Sequence, residues 1–273
     1  MNLDTLALRI EWLSNLLKQY GKVAIGFSGG TDSSYLLSLA VDSLGSENVL
    51  AAIVISPAML ISEIERARSI AKNLNIELLE LPPVEFECED FLKNDSLRCY
   101  YCKKARFSFL VDEAKKRGFL TIIDGTNADD SNDYRPGEKA IHELGVISPL
   151  KKYGITKEEV RILSKDRGLI SWNANSEACL ATRLATGMRI TNDALRNIET
   201  AENMLREKGM RLVRVRVHGN TARIEVLPDD IPYLISLEYR QEISSKFHEL
   251  GYKFVTVDLD GYRMGSMNEE IEK

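Results

Sequence analysis

The sequence predicts an α/β protein, a parallel sheet covered on both faces, followed by a small α+β domain. Three observations predict it. Apolar runs of strand length alternate with helix-period segments through residues 1–170. The first of these strands ends in a glycine-bearing loop that opens a helix. Beyond about Ser171 the order changes to helix, hairpin, helix, strand. The expected domains are therefore residues 1–170 and 171–273.

In chain order, Leu6, Ile10, Leu13 and Leu17 fall on one face of an opening amphipathic helix. Val23–Phe27 reads as a buried strand, and the helix after its loop runs from Ser33 to about Leu44. Val49–Ile55 is a second strand, closed by Ser56-Pro57, and a helix from about Leu60 to Asn73 and a strand from Ile76 to Leu81 follow. Apolar strands separated by helices pair in parallel with both faces covered. Ligands in such sheets bind beyond the carboxyl ends of the strands, where Ser28 and Ser56 fall. A helix from about Tyr101 to Arg117, strands at Leu120–Ile123 and Val146–Leu150, and a helix at Thr156–Asp166 complete the first domain.

The second domain reads as a helix (Thr191–Lys208), a hairpin (Leu212–Val226), a helix (Leu237–Leu250) and a strand (Lys253–Leu259), an order that fits a ferredoxin-like arrangement. Gly219-Asn220 suits a type II′ turn with glycine first. Pairing outward sets Val217, Val215 and Val213 opposite Ala222, Ile224 and Val226 on the packed face. The other face then carries Arg216 beside Arg223 and Arg214 beside Glu225. Neighbouring arginines repel unless something anionic sits between them, so this face reads either as solvated or as phosphate-binding.

Composition is that of a soluble globular chain, 44% hydrophobic and 28% charged, and 273 residues bury a core without disulfides. A net charge of −5 argues against wrapping a nucleic acid. No apolar run approaches the ~18 residues of a membrane span. Asp4 and Glu11 interrupt any signal-peptide pattern, so a cytoplasmic location is expected.

The loop Ser28-Gly29-Gly30-Thr31-Asp32-Ser33-Ser34 carries the first chemistry. Its glycines permit positive φ and close approach to a ligand. The hydroxyls of Ser28, Thr31, Ser33 and Ser34, with the unpaired N–H groups of the helix start, form a site for a polyanion such as pyrophosphate. Asp32 is an acid inside an anion site, which makes sense if it holds Mg²⁺ against phosphates. No Gly-Lys-Ser/Thr follows, so this is not a Walker A loop.

The cysteines carry the second. Cys99-Tyr100-Tyr101-Cys102 sets two thiols at i and i+3 near a helix start, where thiolates are favoured, and Cys179 is a third. Cys88 lies in an acidic run and reads as structural or incidental. CxxC alone is compatible with structural zinc or a redox pair. A closed zinc site is poorly supplied, because only His142, His218 and His248 could add ligands. Three thiolates can instead hold a [4Fe–4S] cluster whose fourth iron stays open to an exogenous ligand such as hydrosulfide.

The Ser28–Ser34 loop resembles the PP-loop of the N-type ATP pyrophosphatases (the adenine nucleotide alpha hydrolase-like fold), which cleave ATP to AMP and pyrophosphate. In that resemblance Gly125 and Thr126 of the Asp124–Asp130 loop lie near the nucleotide, and Asp129 helps hold Mg²⁺. The whole chain resembles the lactate racemase maturation sulfur transferases, the LarE family. The match rests on both loops, on Ala178-Cys179-Leu180-Ala181-Thr182-Arg183, on the Arg214/Arg216 hairpin and on Asp258–Asn268.

That resemblance implies a small nucleotide-like acceptor, pyridinium-3,5-biscarboxylic acid mononucleotide, on the way to a nickel-pincer cofactor. ATP adenylates its carboxylate and a sulfur nucleophile displaces AMP. In one branch Cys179 surrenders its own sulfur. In the other, Cys99, Cys102 and Cys179 ligate a [4Fe–4S] cluster fed by sulfide or another sulfur donor, and this chain is expected there. Arg214 and Arg216 are candidates for the acceptor's phosphate, with Lys103, Arg183 and Arg263 beside them. Family members assemble into rings or dimers, which implies a homo-oligomer. Two rival readings are a PP-loop tRNA thiolase, whose tRNA affinity would fall steeply with salt, and an ATP-binding sensor without catalysis.

Overall fold

The computed structural model describes residues 3–132, 136–174 and 178–263. It separates into two compact units. The first runs up to Phe91 and resumes at Leu97 as far as the 177/178 boundary; the second contains Leu92–Ser96 and everything from Ala178 on.

The first unit contains, in order, α1 (Leu3–Tyr20), β1 (Val23–Gly26), α2 (Thr31–Leu44), β2 (Val49–Val54), α3 (Ile61–Asn73), β3 (Leu78–Leu81), α4 (Glu89–Leu92, whose last residue belongs to the second unit), α5 (Arg98–Lys116), β4 (Thr121–Asp124), α6 (Pro136–Glu143), α7 (Pro149–Lys152) and α8 (Lys157–Asp166). Its four strands are all parallel, in the order β3-β2-β1-β4. Strand alternation divides the core. Val23, Ile25, Val49, Ala51 and Ile53 pack with Leu13, Leu36, Leu37 and Val160 of α1, α2 and α8. Ala24, Leu50, Ala52 and Val54 pack with Leu110, Val111, Ala114 and Ile141 of α5 and α6. Both faces are therefore covered, as parallel strands require.

Val146–Leu150 is not a full strand. Ile147 makes a single bridge to Ile123, with Asp124 N–H donating to Ile147 O and Ile147 N–H to Ile122 O. Pro149 then sits in the first turn of α7, where its fixed φ and missing N–H end any ladder. The sequence reading also passed over α6, whose signals are Pro136 at its start and Glu138 in its first turn.

The second unit contains α9 (Asn192–Glu207), β5 (Val213–His218), β6 (Thr221–Val226), α10 (Ile231–Leu234), α11 (Leu237–Glu249) and β7 (Phe254–Val257). Its sheet has three strands in the order β5-β6-β7; β5 and β6 are antiparallel, β6 and β7 parallel. Among the described residues the four-stranded ferredoxin-like sheet is not formed. The hairpin register is the expected one, from Val213 opposite Val226 to Val217 opposite Ala222. Gly219 has φ +61° while Asn220 keeps negative φ, as a type II′ turn demands.

The boundary lies later than residue 170, because Ser171 O accepts a hydrogen bond from Thr31 Oγ1 (2.8 Å) in the first unit. Leu92–Ser96 joins the second unit through backbone bonds Gly187 N–H to Asn94 O and Ile190 N–H to Leu92 O, both 2.9 Å. Among the described residues no helix is long and apolar enough to cross a membrane.

Candidate functional site

Strand order in the first sheet reverses between β1 and β4, the position where open α/β sheets leave a crevice. Gly26 pairs with Asp124, so the two chains leave the sheet at the same level. Two glycines let their loops close on the helices. Gly29 has φ +70°, and a Cβ there would stand 3.0 Å from Ala67 Cβ, Ala67 N and Glu63 O of α3. Arg66 Nε ties this loop down by donating to Gly29 O (2.8 Å). At Gly125 a Cβ would stand 2.7 Å from Ser33 N, inside the first turn of α2.

Helix α2 begins at Thr31, two residues before the expected start, with Gly30 as a cap that has no side chain to offer. Its first N–H groups are thus left to a ligand in place of a capping oxygen. The four expected hydroxyls divide. Thr31 donates its proton to Ser171 O and Ser34 donates to Gly30 O (2.7 Å). A hydroxyl has one proton to give, so these two secure the fold. Ser28 Oγ, on an exposed residue, and Ser33 Oγ lie 3.1 Å apart, and Ser33 Oγ also stands 3.3 Å from Gly30 O, a longer bond than that of Ser34.

Asp32 opens α2 with one oxygen engaged and one not. Oδ2 accepts from Lys157 Nζ at 2.5 Å, while Oδ1 is buried without a hydrogen-bond partner. Burial pushes the carboxyl above the ordinary aspartate range; the Lys157 ammonium opposes that without cancelling it, and Asp130 adds to the rise. The Asn127 side chain, near the carboxylate but outside good hydrogen-bond geometry to Oδ1, lowers it slightly. An orphaned carboxylate oxygen beside a resident cation fits a divalent-ion ligand. Asp32 is therefore the residue that would hold Mg²⁺ in this site. The neighbouring acid whose charge Asp32 feels is Asp130, whereas Asp129 accepts Lys157 N–H (2.8 Å) at the start of α8. Lys157 was not foreseen. Its only sequence signal is that it follows Thr156, the capping residue of an amphipathic helix.

The other predicted site residues of this unit lie in the loops after β4 and β2 and on α5. Thr126 Oγ1 donates to Asp124 Oδ2 (2.6 Å), and Ser148 Oγ donates to Oδ1 (2.6 Å), so Asp124 organises the loop from a buried position. Ser56 is buried; its hydroxyl donates to Glu85 and accepts from Ala58 N–H (3.1 Å). Glu85 in turn accepts from Arg106 Nη2 (2.5 Å). Cys99 lies in the first turn of α5 and is exposed; Cys102 opens the second turn and is half-buried. None of the four cysteines is in a disulfide. A Cβ on Gly137 would stand 2.8 Å from Lys103 Cδ, so the lysine stem packs on α6. Among the described residues no three His, Cys, Asp or Glu side chains form a group suited to one metal ion. Cys99 and Cys102, at i and i+3 of α5, lie on one side of that helix.

In the second unit the charged hairpin face is buried, which corrects the solvated reading. Arg214 and Arg216 are 4% and 6% exposed and Glu225 is fully buried. The anion required between Arg216 and Arg223 is Glu225, accepting from Arg216 Nε (3.0 Å) and Arg223 Nη2 (3.2 Å). Arg214 lies 5.5 Å from the Tyr262 ring and donates to Val213 O (2.8 Å). Arg263 is exposed and paired with Asp260. Met264–Asn268, the end of the closing motif, lies outside the described residues.

Cys179 is exposed and caps a short 3₁₀ turn, Leu180–Arg183. Arg183, expected as a substrate contact, is fully buried beneath that turn. It donates to both oxygens of Glu202 (Nε at 2.9 Å, Nη2 at 3.2 Å) and to the carbonyls of Ala178 and Cys179. Burial penalises the Glu202 carboxylate, but Arg183, Arg206 and the Val215 N–H together hold its carboxyl below the usual range.

Comparison with known proteins agrees with this geometry. The NAD synthase family model matches residues 6–126. The chain is 35% identical over 270 residues to the pyridinium-3,5-bisthiocarboxylic acid mononucleotide synthase of Lactiplantibacillus plantarum, covering 98% of this chain and 97% of that protein. An uncharacterized protein of Methanocaldococcus jannaschii is 32% identical across 93% of this chain and 96% of its own. The glutamine-dependent NAD(+) synthetase of Thermotoga maritima matches only 65 residues, at 46% identity, 23% of this chain and 11% of that enzyme.

Proposed function

The chain belongs to the family of the pyridinium-3,5-bisthiocarboxylic acid mononucleotide synthases, the LarE family, and on that premise we propose that it converts pyridinium-3,5-biscarboxylic acid mononucleotide to a thiocarboxylate for nickel-pincer cofactor biosynthesis. It is an ATP-using sulfurtransferase. The observation that carries the reading is Asp32: a half-buried acid whose Oδ1 is buried without a hydrogen-bond partner, seated in a glycine loop at the sheet's switch point.

The acceptor carboxylate attacks the α-phosphorus of ATP, and pyrophosphate leaves. The N–H groups at the start of α2, with Ser28 and Ser33, receive the departing phosphates, and Lys157 supplies a positive charge beside them. Mg²⁺ held by Asp32 would neutralise charge on the phosphate oxygens. Adenylation turns an oxide, a poor leaving group, into AMP, so that a sulfur nucleophile can displace it at the carbonyl carbon.

Sulfur delivery is assigned to Cys179. Cys99, Cys102 and Cys179 would hold a [4Fe–4S] cluster, which supplies an open iron site for an exogenous sulfide. In the second unit four arginines (Arg183, Arg206, Arg216, Arg223) pair with three carboxylates (Glu202, Glu225, Asp258), and Arg214 lies against the Tyr262 ring. Arg214 and Arg216 are assigned to the acceptor's phosphate, which a guanidinium fork binds through paired N–H donors. A homo-oligomer in the cytoplasm completes the proposal.

The test uses purified protein, ATP, Mg²⁺ and acceptor, and follows pyrophosphate and thiocarboxylate separately. C179A should release pyrophosphate but form no thiocarboxylate, and replacing Arg214 and Arg216 should raise the acceptor KM without changing ATP binding. Pyrophosphate release indifferent to the acceptor would sink the proposed substrate. Anaerobic reconstitution should load about four irons per chain. A chain without cluster absorbance that loses one H₂S in mass on turnover would move the sulfur source to Cys179 itself.

A further inference from the structure

We propose that Arg183, locked by Glu202, is the positioning residue for sulfur delivery, because it fixes the two peptide planes that meet at Cys179. The inference rests on Cys179 taking part in sulfur delivery, as a cluster ligand or as the donor itself. Arg183 is fully buried, and so is its partner Glu202. A guanidinium is costly to bury unless each of its nitrogens is engaged, and here the nitrogens divide into two tasks. Nε and Nη2 form a fork on Glu202. Nη1 donates to Ala178 O, to Cys179 O (3.2 Å) and to Thr182 Oγ1 (3.2 Å).

Stability alone would be met by any acceptor for Nη1. The second task is specific. The Ala178 carbonyl belongs to the peptide plane entering Cys179, and the Cys179 carbonyl to the plane leaving it. Peptide units are rigid and planar, so holding both oxygens at one nitrogen fixes φ and ψ of Cys179, at −46° and 137°, and with them the Cα–Cβ direction. The turn is tied further by Thr182 Oγ1 donating to Cys179 O (2.7 Å) and by Arg216 Nη1 donating to Thr182 O (3.1 Å). Glu202 cannot drift, because Oε1 also accepts Val215 N–H (3.1 Å) and Oε2 accepts from Arg206 (2.8 Å). The anchor is therefore buried while the residue it aims stays exposed. Lysine could not replace this arginine: an ammonium has no fork and cannot serve carboxylate and carbonyls at once.

Arg183→Lys and the double variant Arg183→Met/Glu202→Met test this. The double variant removes both buried charges together, so that neither is left unpaired, but leaves the two carbonyls unheld. In each, pyrophosphate release with ATP and acceptor should stay within about twofold of wild type while thiocarboxylate formation falls about tenfold or more, the scale expected for a misplaced reacting group. Alkylation of Cys179 by iodoacetamide in cluster-free protein, read by peptide mass, should change rate while Cys88 serves as an unchanged internal reference. A structural role alone predicts that the double variant, once folded, recovers sulfur transfer and wild-type alkylation. Either variant folding with wild-type transfer and wild-type Cys179 alkylation overturns the inference. If C179A still forms thiocarboxylate, it is the role of Cys179 in sulfur delivery that fails, and the alkylation rates still decide whether Arg183 positions this residue.

Discussion

At the residue scale, the nucleotide site works through groups left unsatisfied. Asp32 pays for its place: burial raises its carboxyl above the ordinary range, so the ionised form weakens the folded state at neutral pH. The folded chain holds that proton more tightly than the unfolded one, so this destabilisation grows as pH rises through the unfolded value near ~3.9 towards the higher folded value, and is complete above it. D32N should therefore melt at a higher temperature than wild type at pH 7, with the difference vanishing below the ordinary aspartate range, while pyrophosphate release is lost. A lower melting temperature at pH 7 would contradict the sign. The loop's residue types were legible in sequence because strand, glycines, hydroxyls and acid are contiguous. The division of labour among its hydroxyls was not, because Ser171, which takes the Thr31 proton, is distant in sequence.

Elements show the same contrast. Val213–Val226 could be paired residue by residue from its turn, since a two-residue loop leaves one register and strand side chains alternate. Which face is buried could not be read, because alternation looks the same whether charges meet water or one another. Arg216, Arg223 and Glu225 satisfy each other inside the second unit. Glu225→Ala should accordingly cost about 3–5 kcal/mol, the scale for leaving buried charges unpaired, measured by urea unfolding. A loss below ~1 kcal/mol would place this carboxylate among ordinary surface pairs. Val146–Leu150 failed as a strand for a local reason: Pro149 offers no N–H and favours a helix start.

Over the whole molecule, the chain visits its second unit before finishing its first. Asn94 is fully buried with φ +57° and donates from Nδ2 to Ala185 O (3.0 Å), so Leu92–Ser96 is part of the second unit's framework. Asn94→Ala should expose amides of residues 185–190 and of β5–β7 to hydrogen exchange while β1–β4 keep their protection; uniform loss across both sheets would argue for one cooperative unit. By itself the sequence determined the parallel α/β unit, its switch-point loop, the hairpin register and the candidate thiols, because each depends on neighbours a few residues apart. Only the tertiary structure decided which polar groups are left for a ligand. Lys157 meets Asp32, and Glu202 meets Arg183 beneath Cys179, through burial and long-range pairing that no local pattern encodes. The glycine loop could be read as an anion cradle; its cation-ready acid became visible only once the fold left one oxygen without a partner.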